Sequence, residues 1–301
     1  MRLLLVYNPN ARLALRLRPQ QLMDELRSLG AEAYLAIARE SVEADALARK
    51  ALSAGVDRVV VAGGDGTVSA VIDALAGTDV PIAVIPLGTG NVLAAEAGLR
   101  RGDWRTACRA AVGHTLARID LGRAGTRYFA TMFGAGLDAR MVLDVGAEDK
   151  HSFGRLAFIG QLFKTLFQTR PAQFVLTEGD QTLSFRAWSV MVCNTARFAW
   201  RLQFAPEARP ADGLLDLCRF CPGSRPSVIF QGVACFALKS RILAPNVDVH
   251  TVTSVLIDAD PPVPWQADGE IGGTTPVQVD LVPHGLTVAV RDERSALYRG
   301  R

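Results

Sequence analysis

The chain has 301 residues, 49% of them hydrophobic and 21% charged, and a formal net charge of +3 at pH 7. That is the balance of a globular protein with much to bury and length for two domains of ordinary size. So small a net charge gives no reason to expect a nucleic acid partner.

The first ~120 residues alternate strand and helix. Residues 3–7 read as a buried strand running into Asn8-Pro9. Pro19 starts a helix with Leu22, Leu26 and Leu29 on one face, stopped by Gly30. Residues 34–38 form a short strand, and Ala44, Leu47, Ala48, Ala51 and Leu52 mark a helix ended by Gly55. Val59-Val60-Val61-Ala62 then runs into Gly63-Gly64-Asp65-Gly66-Thr67. A new helix follows, because Val68, Val71, Ile72 and Leu75 recur at helical spacing. Residues 80–85 are a further strand, followed by Pro86-Leu87-Gly88-Thr89-Gly90-Asn91 and a helix through Ala97. Asp103 caps a last helix reaching about Val112. Repeated βα units imply a doubly wound parallel sheet, in which ligands bind beyond the carboxyl ends of the strands. Asn8-Pro9 and both glycine-rich turns fall at such ends.

From about residue 118 the pattern becomes period-2. Short apolar runs over 128–132, 174–177, 183–193, 214–220, 247–257, 277–282 and 286–290 are separated by Asp or Gly turns. They predict an antiparallel β-sandwich. Two segments read as helices, 153–167 and 227–238. The predicted organisation is therefore an α/β domain over 1–118 and a β-sandwich over 119–301, with the extreme C-terminus free to return to the first domain.

The five cysteines, at 108, 193, 218, 221 and 235, include one C-x-x-C but no second pair to complete a zinc site. Reduced cysteines used as small apolar residues are expected. Residues 3–6 are too short for a signal peptide, and nothing approaches a ~20-residue apolar span. The expected location is the cytoplasm, with at most peripheral contact at the inner membrane face.

The glycine-rich turn after the third strand has the composition of a phosphate cradle. Glycines allow close backbone approach and positive φ. A helix N-terminus offers N–H groups and a dipole suited to an anion. Asp65 places a carboxylate where a phosphate-bound cation would sit, and Thr67 adds a hydroxyl. The plainer alternative is a tight turn with a helix-capping aspartate. Downstream, Asp268-Gly269 and Asp212-Gly213 are favoured turn pairs.

These turns form an ordered set: Asn8-Pro9, Gly63 to Thr67, Pro86 to Asn91, Pro206-Glu207-Ala208 through Asp216, and Asp268-Gly269-Glu270. The set resembles the diacylglycerol kinase catalytic superfamily, and within it the bacterial lipid kinases, relatives of sphingosine and ceramide kinases. NAD kinases and phosphofructokinases share the first glycine turn but not the downstream set. The resemblance spans nearly the whole chain, including Arg127-Tyr128-Phe129 through Gly134-x-Gly136-x-Asp138.

The resemblance implies an NAD kinase/phosphofructokinase-like first domain and ATP-dependent phosphorylation of a lipid hydroxyl met at a membrane surface. Diacylglycerol is the default acceptor. A sphingoid base or similar lipid alcohol, NAD, or a silent nucleotide- or lipid-binding role are the rivals. It places ATP phosphates against Gly63, Gly64, Asp65, Gly66 and Thr67, with Val68 and Ser69 close by. Asn8, Thr89 and Asn91 would line the same cleft, and Ser41, or its neighbour Glu40, would contact ATP. It assigns Glu270 as general base, with Asp65 supporting catalysis. It places Mg²⁺ at Asp212 and the Leu214 carbonyl, with Arg209 at the third position, and links Asp65 to that ion through water. Departures from the family pattern are Val92 after Asn91, Asn10-Ala11-Arg12 after the first Asn-Pro, and Arg197-Phe198-Ala199-Trp200 after Asn194.

Overall fold

The computed structural model describes residues 1–147, 164–165, 167–196, 205–221 and 247–299. The helix expected over 227–238, most of the one over 153–167, and Arg197 to Trp200 lie outside these residues. Two compact units emerge, and the chain crosses between them four times, the last crossing returning the C-terminal stretch to the first unit. Unit 1 comprises residues 1–121, 209–213 and 282–301, and unit 2 comprises 122–208 and 214–281.

In unit 1, β1 (Arg2–Tyr7) pairs in parallel with β2 (Glu32–Ile37) on one side and β3 (Arg58–Gly63) on the other. β4 (Ile82–Pro86) pairs in parallel with β3, and its other neighbour is the end of a late strand, through Val288 opposite Ile82. Every residue of β3 is buried, so both faces of this sheet are covered. The cover comes from α1 (Pro19–Ser28) packed beside α5 (Trp104–Val112), and α2 (Ser41–Ser53) packed beside α3 (Asp65–Leu75). Most of the apolar positions that suggested these helices are buried: Leu22 and Leu26 in α1, Ala44, Ala48 and Ala51 in α2, and Val68, Val71, Ile72 and Leu75 in α3, whereas Leu47 and Leu52 are half-buried and Leu29, just past the end of α1, is exposed. Each fully buried aliphatic side chain contributes roughly 1.5–3 kcal/mol. Asp103 caps α5 by accepting from Thr106 N–H. A short α4 (Val92–Glu96) follows β4.

Unit 2 is a sandwich of two antiparallel sheets. One has the order β12-β11-β10-β7-β14-β15, made of β7 (Met132–Gly136), β10 (Ser189–Cys193), β11 (Leu215–Phe220), β12 (Val247–Val252), β14 (Pro264–Ala267) and β15 (Glu270–Thr274). In the other, β8 (Ala172–Glu178) lies between β9 (Gln181–Ala187) and β13 (Ser254–Asp260), and β13 pairs with the start of β16 (Val277–Ala289). Phe133, Val190, Val192, Leu215 and Leu217 from the first sheet meet Phe174, Leu176, Val255, Ile257 and Val279 from the second in one buried core.

Three sequence expectations change. The run 183–193 is two strands in different sheets, parted at Trp188, and 247–257 is likewise parted at Thr253. The runs 277–282 and 286–290 are joined in the single strand β16, which ends at Ala289 and holds His284 at φ 50° inside it. A helix absent from the sequence reading, α6 (Leu137–Ala147), follows β7. β5 (Leu116–Ala124), whose end pairs with β6 (Arg127–Phe129), and β16 each run from one unit into the other. Cys108, Cys193 and Cys218 are buried free thiols, and burial pushes Cys108 up to about 12. Among the described residues, no helix is long and apolar enough to cross a membrane.

Arg58 is 4% exposed and donates to the Ala110, Ala111 and Gly113 carbonyls that end α5. Arg58→Met takes the side-chain donor from the Ala111 and Gly113 carbonyls, while Ala110 O keeps the Gly113 N–H, and the loss is expected to cost about 1–3 kcal/mol. A melting temperature equal to the wild type's would show that this cap contributes nothing.

Candidate active site

β3 is followed by Gly64, the N-cap of α3, at φ −98° and ψ −176°. Positive φ was an expectation for this turn, and the structure corrects it: Gly63, Gly64 and Gly66 all lie outside the left-handed region. The glycines supply space instead. A Cβ on Gly63 would sit 2.9 Å from Thr67 Cβ, and one on Gly88 would sit 2.5 Å from Gly64 Cα. The loops after β3 and β4 therefore touch backbone to backbone.

Asp65 locks that contact. Its carboxylate accepts from Asn91 N–H at 2.6 Å and Val92 N–H at 2.7 Å, where α4 begins. The helix-capping reading of Asp65 is thus right in kind, but the helix belongs to the next motif. A Cβ on Gly90 would fall 2.5 Å from Asp65 Oδ2, so glycine at 90 makes room for the carboxylate. Asn91 Oδ1 accepts from Gly88 N–H at 2.9 Å, and its Nδ2 donates to Gly88 O at 2.8 Å. Burial pushes the Asp65 carboxyl above its ordinary range, opposed by the Val92 and Asn91 amides.

The other predicted nucleotide contacts of unit 1 gather around this pair of loops. Asn8 Nδ2 donates to Thr67 Oγ1 at 2.8 Å. Ser41, the first residue of α2, donates through Oγ to Gly66 O at 3.4 Å. Thr89 is exposed, whereas Val68 and Ser69 are buried in α3 with their side chains among protein. Gly64, Asp65 and Gly66 are half-buried at the N-terminus of α3, where main-chain N–H groups and the helix dipole suit an anion such as a phosphate.

In unit 2, Asp268 and Gly269 form the turn between β14 and β15, with Ala267 opposite Glu270. Their φ values, 48° and 85°, have the sign that a two-residue hairpin turn requires. The half-buried Asp268 carboxylate accepts from Ala130 N–H at 2.7 Å, Thr131 N–H at 3.0 Å, Met132 N–H at 2.9 Å and the Thr131 hydroxyl. Glu270 leaves the turn half-buried. Among the described residues its carboxylate makes no hydrogen bond or ion pair, unlike that of Asp268, which makes it a candidate proton acceptor. Asp138, the second residue of α6, is half-buried by surface area yet crowded by protein, and desolvation raises its carboxyl to about 6.

Arg209 and Asp212 are exposed on the segment 209–213 of unit 1, and Leu214 begins the next stretch of unit 2. Gly213, at φ 76°, donates its N–H to Asp120 Oδ2 at 2.9 Å, and His284 N–H donates to Asp120 Oδ1 at 2.7 Å. Asp120 is fully buried, and its own N–H donates to the Pro210 carbonyl. Sequence reasoning missed this residue; the only signal was a lone carboxylate in the apolar run Ile119-Asp120-Leu121. No group of three or more His, Cys, Asp or Glu able to hold a metal occurs among the described residues. Asp212 is the one anionic donor of the predicted set, and Arg209 can offer only a carbonyl. Such a set fits Mg²⁺ when water or phosphate oxygens complete the shell.

Asp65→Ala leaves the Asn91 and Val92 N–H groups without their acceptor, a loss of about 1–3 kcal/mol. Asp65→Asn, which keeps one oxygen, costs less. A thermal melt unchanged in Asp65→Ala would remove the bridge from the account. For Asp138, a folded-state value raised above the unfolded ~3.9 makes its contribution complete below about pH 4 and lost as pH rises through about 6. Asp138→Asn is therefore expected to gain stability relative to wild type at pH 7–8 but not at pH 4. A melting difference independent of pH would contradict this.

Residues 2–124 match the model of the diacylglycerol kinase catalytic domain, and residues 131–290 match that of the YegS C-terminal NAD kinase beta sandwich-like domain. A diacylglycerol kinase of Mycobacterium tuberculosis is 28% identical over 275 residues, covering 87% of this chain and 86% of its own. A diacylglycerol kinase of Bacillus subtilis is 25% identical over 298 residues, covering 97% and 98%. Two solved structures from Bacillus anthracis share the fold. One has a TM-score of 0.78 at 21% identity, over 96% of this chain and 95% of its own. The other, described as a diacylglycerol kinase, has a TM-score of 0.73 at 18% identity, over 96% of each. The ordered motifs, the α/β unit with its paired glycine loops and the β-sandwich that follows agree with both matched models, and the chain belongs to the diacylglycerol kinase catalytic-domain superfamily, as a lipid kinase of the bacterial type.

Proposed function

We propose that this protein transfers the γ-phosphoryl group of ATP to the hydroxyl of diacylglycerol, giving phosphatidic acid and ADP. The observation that carries the reading is Glu270. It is a half-buried carboxylate on a turn fixed by its neighbour Asp268, and it makes no hydrogen bond or ion pair among the described residues. Phosphoryl transfer asks little covalent chemistry of a protein. It needs the phosphates held, their charge offset, and the attacking hydroxyl relieved of its proton.

In this reading Gly64, Asp65 and Gly66 hold the phosphates at the start of α3, and Asn8, Ser41 and Thr89 orient the nucleotide. Glu270 accepts the proton of the lipid hydroxyl as its oxygen bonds to the γ-phosphorus and the bond to ADP breaks. Mg²⁺ arriving with ATP would supply positive charge against the phosphates, and Asp212 and the Leu214 carbonyl would hold a separate Mg²⁺. The choice of diacylglycerol rests on relatives of that name in two organisms. The acceptor would be met at a membrane surface.

The test is purified protein with labelled ATP against diacylglycerol, ceramide, a sphingoid base and NAD. Phosphatidic acid is the expected product, and preference for another alcohol would replace the acceptor. Glu270→Gln keeps size and removes the proton acceptor, so turnover is expected to fall by ~10²–10⁴ while ATP still binds. Near-normal turnover would remove Glu270 from the mechanism.

A further inference from the structure

Gln266, the third residue of β14, is 2% exposed and joins two other groups. Its Oε1 accepts from Gly269 N–H at 2.7 Å, and its Nε2 donates to Asp138 Oδ2 at 2.7 Å. Gly269 is the residue before Glu270. The hydrogen bonds therefore run from the first turn of α6, through one amide side chain, to the turn that presents the candidate proton acceptor.

Two further features give this link its space and direction. Gln266 sits opposite Gly134 in the β14–β7 ladder. A Cβ on Gly134 would lie 2.0 Å from Asp138 Oδ2 and 3.1 Å from Gln266 Nε2, so any larger residue would break the pair. The β14–β15 ladder also shifts register between Trp265 and Gln266. Such bulges re-aim the side chain beside them. Gly134 and Asp138, two positions of the motif Gly134-x-Gly136-x-Asp138, thus act on the same contact.

The direction matters because a glutamine amide has a donor end and an acceptor end of the same shape. Turned about, its NH₂ would face Gly269 N–H, donor against donor, and the clamp on the turn would be lost. A carboxylate at Nε2 accepts only, and so holds the amide in the productive sense.

We propose that Asp138 and Gln266 are positioning residues: Asp138 orients the Gln266 amide, which clamps Gly269 and so sets the direction in which Glu270 leaves its turn. This rests on the reading of Glu270 as the proton acceptor. Misplacement of a reacting group by ~1 Å can cost ~10²-fold. With ATP and the lipid that wild type phosphorylates fastest, Gln266→Met and Asp138→Ala are expected to lower kcat by ~10–10² and leave KM for ATP unchanged. Asp138→Asn, which can turn an oxygen to Gln266 Nε2, recovers most of the loss.

The decisive measurement is made in a Glu270→Gln background, where no proton acceptor remains to be positioned. Adding Gln266→Met there should cost nothing further, as for groups that act as a unit. An equal fold-loss in both backgrounds would overturn the proposal and mark Gln266 as a general structural residue. Collapse of Glu270→Gln with normal kcat in Asp138→Ala and Gln266→Met would overturn the positioning alone. Normal turnover in Glu270→Gln would overturn both readings. Independently of activity, amide hydrogen exchange at Gly269 should quicken in Gln266→Met and in Asp138→Ala. Unchanged exchange in either variant would also overturn the link.

Discussion

Hydrogen bonds from main-chain N–H groups to aspartate carboxylates drawn partly or wholly out of water are what the functional loops of this protein depend on. A carboxylate withdrawn from water needs several donors to stay ionised, and loops have main-chain donors to spare. Asp65 collects two of them 26 and 27 residues away and so fixes one glycine loop against the other. Asp268 collects three, from 136 to 138 residues away, and anchors the turn that bears Glu270. Asp120 binds the N–H of Gly213, 93 residues on, and that of His284, 164 residues on. The entropy of closing such loops grows only slowly with their length. A few such carboxylates can therefore fix geometry that local structure would leave loose.

Much of this was legible in the sequence, because the signals are local. Val59 to Ala62 reads as a strand buried on both faces, since a parallel strand under two helical layers has no polar side. Helical spacing marked Val68, Val71, Ile72 and Leu75, and these residues are buried in α3. The Asp-Gly pair before Glu270 announced a hairpin turn, and its φ values match. The plain and functional readings of a motif residue turned out not to exclude each other. Asp65 is a helix cap by its bonds, and by its place in the first glycine loop it borders the proposed phosphate site.

What escaped the sequence depends on partners far along the chain. The switch between sheets at Trp188 and at Thr253 leaves no break in apolar composition, since the strands on both sides face the same core. Gln266 falls between the apolar runs that mark strands in the sequence; its importance lies in Asp138 and Gly134, more than 120 residues earlier. The positive φ expected of the cradle glycines is not found, and a second demand for glycine could not be read locally: a Cβ on Gly88 would meet the Gly64 backbone, which folding alone brings close.

The four divisions of the chain also order its assembly in time. As the polypeptide leaves the ribosome, residues 1–121 emerge first, with one neighbour of β4 still unmade. That neighbour, the stretch of β16 around Val288, is translated only after all of unit 2. Until then β4 presents an open strand edge, a template for pairing with other chains. Domains of most proteins fold in the order of their synthesis. Here the β-sandwich, begun second, is complete in the nascent chain before the nucleotide-type sheet can close. The first unit to be started is the last to be finished.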